Sequence, residues 1–142
     1  MSVFVQLEIV TPEAMVLAEE TILVTAPGVE GYFGVMAGHV PFVTLLKAGI
    51  LIVGHHTPGE KDDAKRYAIA GGYAEVLPDK VIILTEKALA REQIDAQQLQ
   101  QEQQEARNKL ATLGHDDDMV SYWQSRLDFA TVCTELLRGP SA

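Results

Sequence analysis

Cysteine is almost missing from this chain: Cys133 stands alone, which excludes an internal disulfide and fits a reducing compartment. Long apolar runs are missing too. The longest, 42–54, is interrupted by Lys47 and falls short of the roughly 20 residues that a spanning helix needs, so the expectation is a soluble protein. The opening MSVFVQLEIV has neither the basic start and small-residue cleavage site of a signal peptide nor the Arg- and Ser-rich character of a transit peptide. Residence in a cytosol-like compartment is the corresponding expectation. Basic residues are scarce, 11 Lys and Arg against 20 Asp and Glu for a net charge of −9, and no cluster of them offers a site to nucleic acid or anionic lipid.

Catalytic motifs are lacking as well. The glycines of GYFGVMAG are not followed by the Gly-Lys-Ser/Thr of a phosphate-binding loop. His39 has no Ser or Asp placed by a recognisable motif to complete a triad, and Cys133 lies in another region on an apolar stripe. The adjacent His55 and His56, and His115 beside Asp116, Asp117 and Asp118, match neither zinc nor calcium spacing. His39 therefore reads as a packed or interface residue, the other histidines as solvated turn residues, and no metal site is expected.

What is present is a single change of period along 142 residues. Up to about Glu86 the chain reads in steps of two or in short β-branched runs: Val3, Val5, Leu7 and Ile9 share one face, and TILVTAP, GILIVG, RYAIAGG and KVIILTE follow, separated by turn residues. Many short strands without an intervening long helix predict an antiparallel sandwich or barrel. Residues 55–66, HHTPGEKDDAKR, read as a polar hairpin tip. From Ala88 the period is helical. Asp95 with Gln98 forms a capping box that opens one helix, and Gly114 closes it. Its stripe of Leu99, Ala106, Leu110 and Leu113 is thin. A second helix follows the three aspartates and stops at Arg138-Gly139-Pro140, with Met119, Trp123, Leu127, Ala130, Cys133 and Leu137 along one side. An antiparallel helical hairpin of this size buries too little alone and must lean on its own sandwich or on another subunit.

The stretch from Glu30 to Gly49, EGYFGVMAGHVPFVTLLKAG, carries the densest punctuation. Gly31, Gly34 and Gly38 permit positive φ or close approach, and Pro41 removes a donor, so a partner is expected to pack against this loop. Taken with AIAGGYAEVLPDKVIILTE, from Ala68 to Glu86, it closely resembles the epsilon subunit of the bacterial rotary ATP synthase, and the resemblance covers nearly the whole chain.

That resemblance implies an N-terminal antiparallel β-sandwich of about ten strands, residues 1–87, and a C-terminal antiparallel two-helix hairpin, residues 88–142. It implies a non-catalytic rotor component that binds the gamma subunit and the ring of c subunits, touches the alpha and beta catalytic subunits transiently, and lies peripherally on the cytoplasmic face of a bacterial inner membrane. Matched residue by residue, Glu30, Gly31, Tyr32, Phe33 and Gly34 fall near the c-ring, with Tyr32 as the direct contact, while Thr11, His39, Pro41 and Thr44 face gamma. Phe33, Val40 and Phe42 are the expected apolar anchors. For Gly71 and Gly72 close strand packing or a bulge is the preferred reading.

The hairpin of relatives folds against the sandwich or extends, and the extended form inhibits hydrolysis. Here the last helix carries only Arg126 and Arg138 against Asp128 and Glu135, so any inhibitory docking is expected to rest on Trp123 and its apolar neighbours. Some relatives bind ATP through Ile/Leu-Asp-x-x-Arg-Ala. This chain offers Ile94 and Asp95 but has Gln98 in place of the arginine, without its charge or fork of donors, so no nucleotide cofactor is expected. The residues by themselves also allow an alternative, a non-enzymatic β-sandwich adaptor or chaperone-like module with a helical arm.

Overall fold

The computed structural model describes residues 3–54 and 64–139, so most of the polar tip expected over 55–66, with His55 and His56, lies outside the described residues. Eight strands come first: β1 Val5–Val10, β2 Met15–Thr21, β3 Val24–Gly28, β4 Gly31–Val35, β5 Phe42–Val53, β6 Lys65–Val76, β7 Lys80–Leu84 and β8 Ala88–Ala90. A 3-10 turn at Arg91–Gln93 then leads into α1 Ala96–Thr112 and α2 Val120–Leu137. The sandwich and the hairpin thus follow the change of period, with eight strands among the described residues where about ten were expected. The pairing order is β2-β1-β7-β6-β5-β3-β4, with β8 on β6. One pair departs from the antiparallel expectation: β1 and β7 run parallel, as two strands so far apart in sequence can.

The inner core follows from alternation. Val5, Leu7 and Ile9 of β1 are fully buried, as are Val81 and Ile83 of β7, while Gln6, Glu8, Lys80 and Ile82 point the other way. Val3, expected on the same face, precedes β1 and is exposed. β5 and β6, the longest strands, serve both layers. Along one edge β6 meets β7 over Tyr73–Val76 and β8 over Tyr67–Ile69.

Where the strands pass from one layer to the other, the parity of their side chains flips. Leu46 belongs to the inner core, yet Ala48 and Ile50 face the opposite way; Ala74 and Val76 are inner, yet Ala68 and Ala70 are outer. The register does not shift there: Leu46↔Gly72 and Ala48↔Ala70 keep one alignment with Lys47 and Gly71 unpaired between them, so the flip comes from the backbone bend at the glycines. Gly71 and Gly72 adopt φ +92° and +117°, and a Cβ on Gly72 would collide with the Leu84 carbonyl. Both glycines are required by the bend and by the backbone packed against it.

The sheet extends to Ala90, past the change of period at Ala88. β8 is Ala-Leu-Ala, a composition without strand preference, and pairing with Tyr67–Ile69 decides its state. α1 opens on Asp95, whose Oδ1 accepts the N–H groups of Gln97 at 3.0 Å and Gln98 at 3.2 Å. The second half of the expected capping box is absent: the Gln98 amide donates to Glu102 at 3.2 Å. Gly114 does not close the helix through a left-handed turn either. α1 stops at Leu113, whose N–H reaches the Lys109 carbonyl at 3.1 Å.

The hairpin is seated on the sandwich. Phe129, Ala130, Val132, Cys133 and Leu136 of α2 and Leu99 of α1 form a second core with Ala68, against which Ala48, Ile50 and Ala70 also pack. At the far end Arg91 Nε donates to the Leu136 carbonyl at 2.9 Å, and Gln103 Nε2 ties α1 to Thr134 Oγ1 at 2.9 Å.

Candidate assembly surfaces

The two outer faces of the sandwich differ. One lies beneath the hairpin and the other is bare. On the bare face the register aligns one apolar row across five strands: Leu45 of β5 opposite Tyr73 of β6, Tyr73 opposite Leu84 of β7, Leu84 opposite Val10 of β1, and Val10 opposite Met15 of β2. Leu45 is 49% exposed, Tyr73 52%, Leu84 43% and Met15 55%, and the neighbouring Val43 is 68% exposed. So many large apolar side chains in one contiguous row form the kind of exposed patch that marks an interaction surface. Beside it runs a mixed row of Glu75, Ile82 and Glu8, with Glu8 held by Lys80 at 2.8 Å. That pair raises the Lys80 ammonium above its ordinary value, chiefly through the hydrogen bond and then the charge of Glu8.

Of the residues expected to face gamma, Thr11 closes the β1–β2 turn with Ala14 and lines a groove beside Tyr73 and Leu84. His39 lies just before β5, with Nδ1 2.9 Å from the Val40 carbonyl and its ring 5.1 Å from that of Phe42, and Pro41 is exposed next to it. Thr44 shares the parity of Phe42 and Leu46 and so points inward, while Val43 and Leu45 alternate outward. Sequence reasoning missed Leu45, Tyr73, Leu84 and Met15. The signal was there, since KVIIL is apolar on both parities and Tyr73 sits on the same parity as Glu75.

Gly31 to Gly34, expected as a loop, belong to an edge strand, β4, which pairs with β3 through the two-residue turn Val29-Glu30. Glu30 is exposed at the turn, and the Val29 N–H donates to the Leu45 carbonyl at 3.1 Å, bringing the tip against β5. Gly31 and Gly38 have the positive φ expected of them, +135° and +85°, whereas Gly34 is ordinary strand. Phe33 and Phe42, expected as interface anchors, are half-buried and pack edge to face at 5.6 Å beside the inner core; Val40 is exposed. Tyr32 lies across β3: its hydroxyl accepts the Ile50 N–H at 3.1 Å.

On α2 the stripe is rotated from its expected course. Ala130 and Cys133 are buried and Leu137 packs beside them, but Phe129, Val132 and Leu136, which sequence reasoning missed, carry the contact. Met119 is an exposed N-cap whose N–H is held by Asp117 at 2.8 Å. Leu127 and Trp123 are half-buried, and Lys109 lies 5.8 Å and Arg126 5.5 Å from the centre of the Trp123 ring. The rotation arises because α2 has two neighbours, α1 and the sheet, so its apolar surface is wider than one stripe.

Ile94, Asp95 and Gln98 line a small crevice of about 180 Å³ with Leu89, Glu102, Phe129 and Cys133. Two carboxylates and no cation border it, and Asp95 already caps α1. Burial pushes the Cys133 thiol up to about 11, with Glu102 adding to the rise and Lys87 opposing it. No group of three or more His, Cys, Asp and Glu suited to a metal occurs among the described residues.

A sandwich with one face seated under its own helical hairpin and the other carrying a bare apolar row defines a sandwich-and-hairpin protein whose distinguishing features are surfaces. Residues 4–91 match the family model described as ATP synthase, Delta/Epsilon chain, beta-sandwich domain. The ATP synthase epsilon chain of Magnetococcus marinus is 37% identical over 139 residues, covering 98% of both chains, and that of Syntrophobacter fumaroxidans is 44% identical over 107 residues, covering 75% of this chain and 76% of its own. Among solved structures, a chain in the Euglena gracilis mitochondrial ATP synthase, OSCP/F1/c-ring in rotational state 1, superposes with a TM-score of 0.76 at 29% identity, over 96% of this chain and 83% of that one. A chain of the Tetrahymena thermophila mitochondrial ATP synthase central stalk/c-ring shares the fold, with a TM-score of 0.61 at 15% identity. The chain belongs to the ATP synthase epsilon chain family.

Proposed function

We propose that this chain works as a non-catalytic rotor subunit of an ATP synthase: the bare face grips the gamma subunit, and the β3–β4 tip, Glu30 to Gly34, meets the ring of c subunits. The observation that carries the reading is the five-strand apolar row, which a partner must cover and which an isolated sandwich has no use for. Thr11, His39 and Pro41 would frame that contact, and Thr44 would act from beneath it. Torque passes through such a part by stiffness and surface fit, and the densely packed inner core supplies the stiffness. The subunit would sit peripherally, on the cytoplasmic face of the membrane that holds the ring; no helix among the described residues is long and apolar enough to cross one.

The hairpin has no role for a nucleotide on this reading. The crevice at Ile94, Asp95 and Gln98, at about 180 Å³, is below the roughly 300 Å³ at which ligand pockets begin, and a phosphate there would face Asp95 and Glu102 without a cation. If the hairpin lifts to restrain hydrolysis, Trp123 with Lys109 and Arg126 stacked on it would present the contact.

The test is capture of purified gamma by the purified chain. Tyr73→Asp places a charge in the centre of the row and is expected to weaken capture about 100-fold or more, while the isolated variant keeps the urea midpoint of its parent. Undiminished capture would refute the assignment of this face.

A further inference from the structure

The ladder between β3 and β5 has a gap. Thr25 stands opposite Ile52 and Gly28 opposite Leu46, so the intervening part of β5 has no partner residue on β3. Ile50 lies in that gap, and its N–H is taken up by the Tyr32 hydroxyl at 3.1 Å. Room for the phenol comes from Gly49. A Cβ on residue 49 would stand 3.1 Å from the Tyr32 hydroxyl and 2.5 Å from Pro27 Cβ. The side chain of the same Ile50 packs into the core beneath the helical hairpin. One residue of β5 therefore touches both regions, through its N–H to the β3–β4 tip and through its side chain to the seat of α2.

We propose that Tyr32 is a positioning residue, a strut by which the β3–β4 tip holds β5 in the register that seats the hairpin. The bond is solvent-exposed, so a backbone donor that loses it draws water or shifts, and either change moves Ile50 under α2. Tip and hairpin are then linked through one hydroxyl. The consequence for the assembled rotor rests on the ring contact proposed above; the strut itself is a property of the isolated chain.

Two rates measured on the full isolated chain test it. One is amide exchange at Ile50; the other is thiol modification of Cys133, the single cysteine, which is buried on the inner face of the seated α2 and reports its lifting. Tyr32→Phe keeps the ring and removes the hydroxyl, and is expected to speed Ile50 exchange about fivefold to tenfold and Cys133 modification about threefold. Gly49→Ala, which displaces the phenol, is expected to raise both rates as well. Thr21→Val removes a comparable hydroxyl, bonded to the Leu23 carbonyl at 3.3 Å, and is expected to leave both rates at the parent's values. The proposal is overturned if Tyr32→Phe leaves either rate unchanged, or if Thr21→Val raises Cys133 modification equally. Because no ring is present in these measurements, a failure of the ring contact would not alter them, and the two readings fail separately.

Discussion

The outer faces of this sandwich are built from the same alternating strands and differ in the size of what they present. Under the hairpin lie Ala48, Ala68 and Ala70 with two larger side chains, Ile50 and Leu89; on the bare face stand Leu45, Tyr73, Leu84 and Met15. Alanines let a helix approach the sheet closely while contributing little transfer free energy each, so the hairpin is seated mainly by the side chains it brings itself, Phe129, Val132, Cys133 and Leu136. Large exposed residues do the reverse and offer anchors to a partner that supplies the pockets. A seat of small residues suits an element that can be lifted, and a row of large ones suits a grip that is kept.

The boundary between the two faces is the parity flip at Lys47 and Gly71, and breaking it has the largest expected effect. Gly72→Ala asks an L-residue to hold φ +117° and drives its methyl into the Leu84 carbonyl. A loss of about 3 kcal/mol or more in folding free energy is expected, read as a fall in urea midpoint with an unchanged slope. A midpoint equal to the parent's would mean that the bend does not depend on glycine.

Ala68→Leu sharpens the comparison by placing a bare-face residue on the covered face. Ala68 is fully buried beneath α2, and three further carbons would overpack the seat at a cost of about 2 kcal/mol. Because the added bulk points away from the inner core, the expected result is a lifted hairpin over an intact sandwich, with Cys133 modified about 30-fold faster. Unchanged modification would show that the seat is loose enough to absorb a leucine.

Both faces were legible only in part from the sequence. The change of period placed the sandwich and the hairpin, and the inner core of Val5, Leu7 and Ile9 could be read from alternation. The parity flip was legible only at Gly71 and Gly72, read as close strand packing or a bulge; that Lys47 of the facing strand stands unpaired at the same bend is recorded by no local pattern in β5. The bare row is hidden for a related reason: Leu45, Tyr73, Leu84, Val10 and Met15 come from five strands and meet only through register. Asp95 was found because capping is local. Tyr32 was found at the tip, but its bond to Ile50, 18 residues away, was not, because a gap in a ladder leaves no local signature.

The smallest effect separates the seat from the rest by pH. Burial first, and Glu102 second, raise the Cys133 thiol from 9.0 to about 11, against the opposing charge of Lys87. In the unfolded chain the thiol ionises from its ordinary value upward, whereas in the seated form it keeps its proton until about 11. A raised folded value means that the contribution is whole below pH 9.0 and is lost as pH climbs toward 11, since the unfolded state sheds its proton first. Between pH 9.0 and about 10 the urea midpoint of the parent, followed by fluorescence of the single tryptophan Trp123, is therefore expected to fall, and that of Cys133→Ala to stay flatter. The raised ammonium groups of Lys65 and Lys80, paired with Glu19 and Glu8, and the Tyr67 phenol raised by burial lose their contributions higher in the pH range and in both proteins alike, so the difference between the two curves isolates the thiol. Parallel curves across that window would place Cys133 in contact with water in the native state and leave the covered face less tightly sealed than its packing implies.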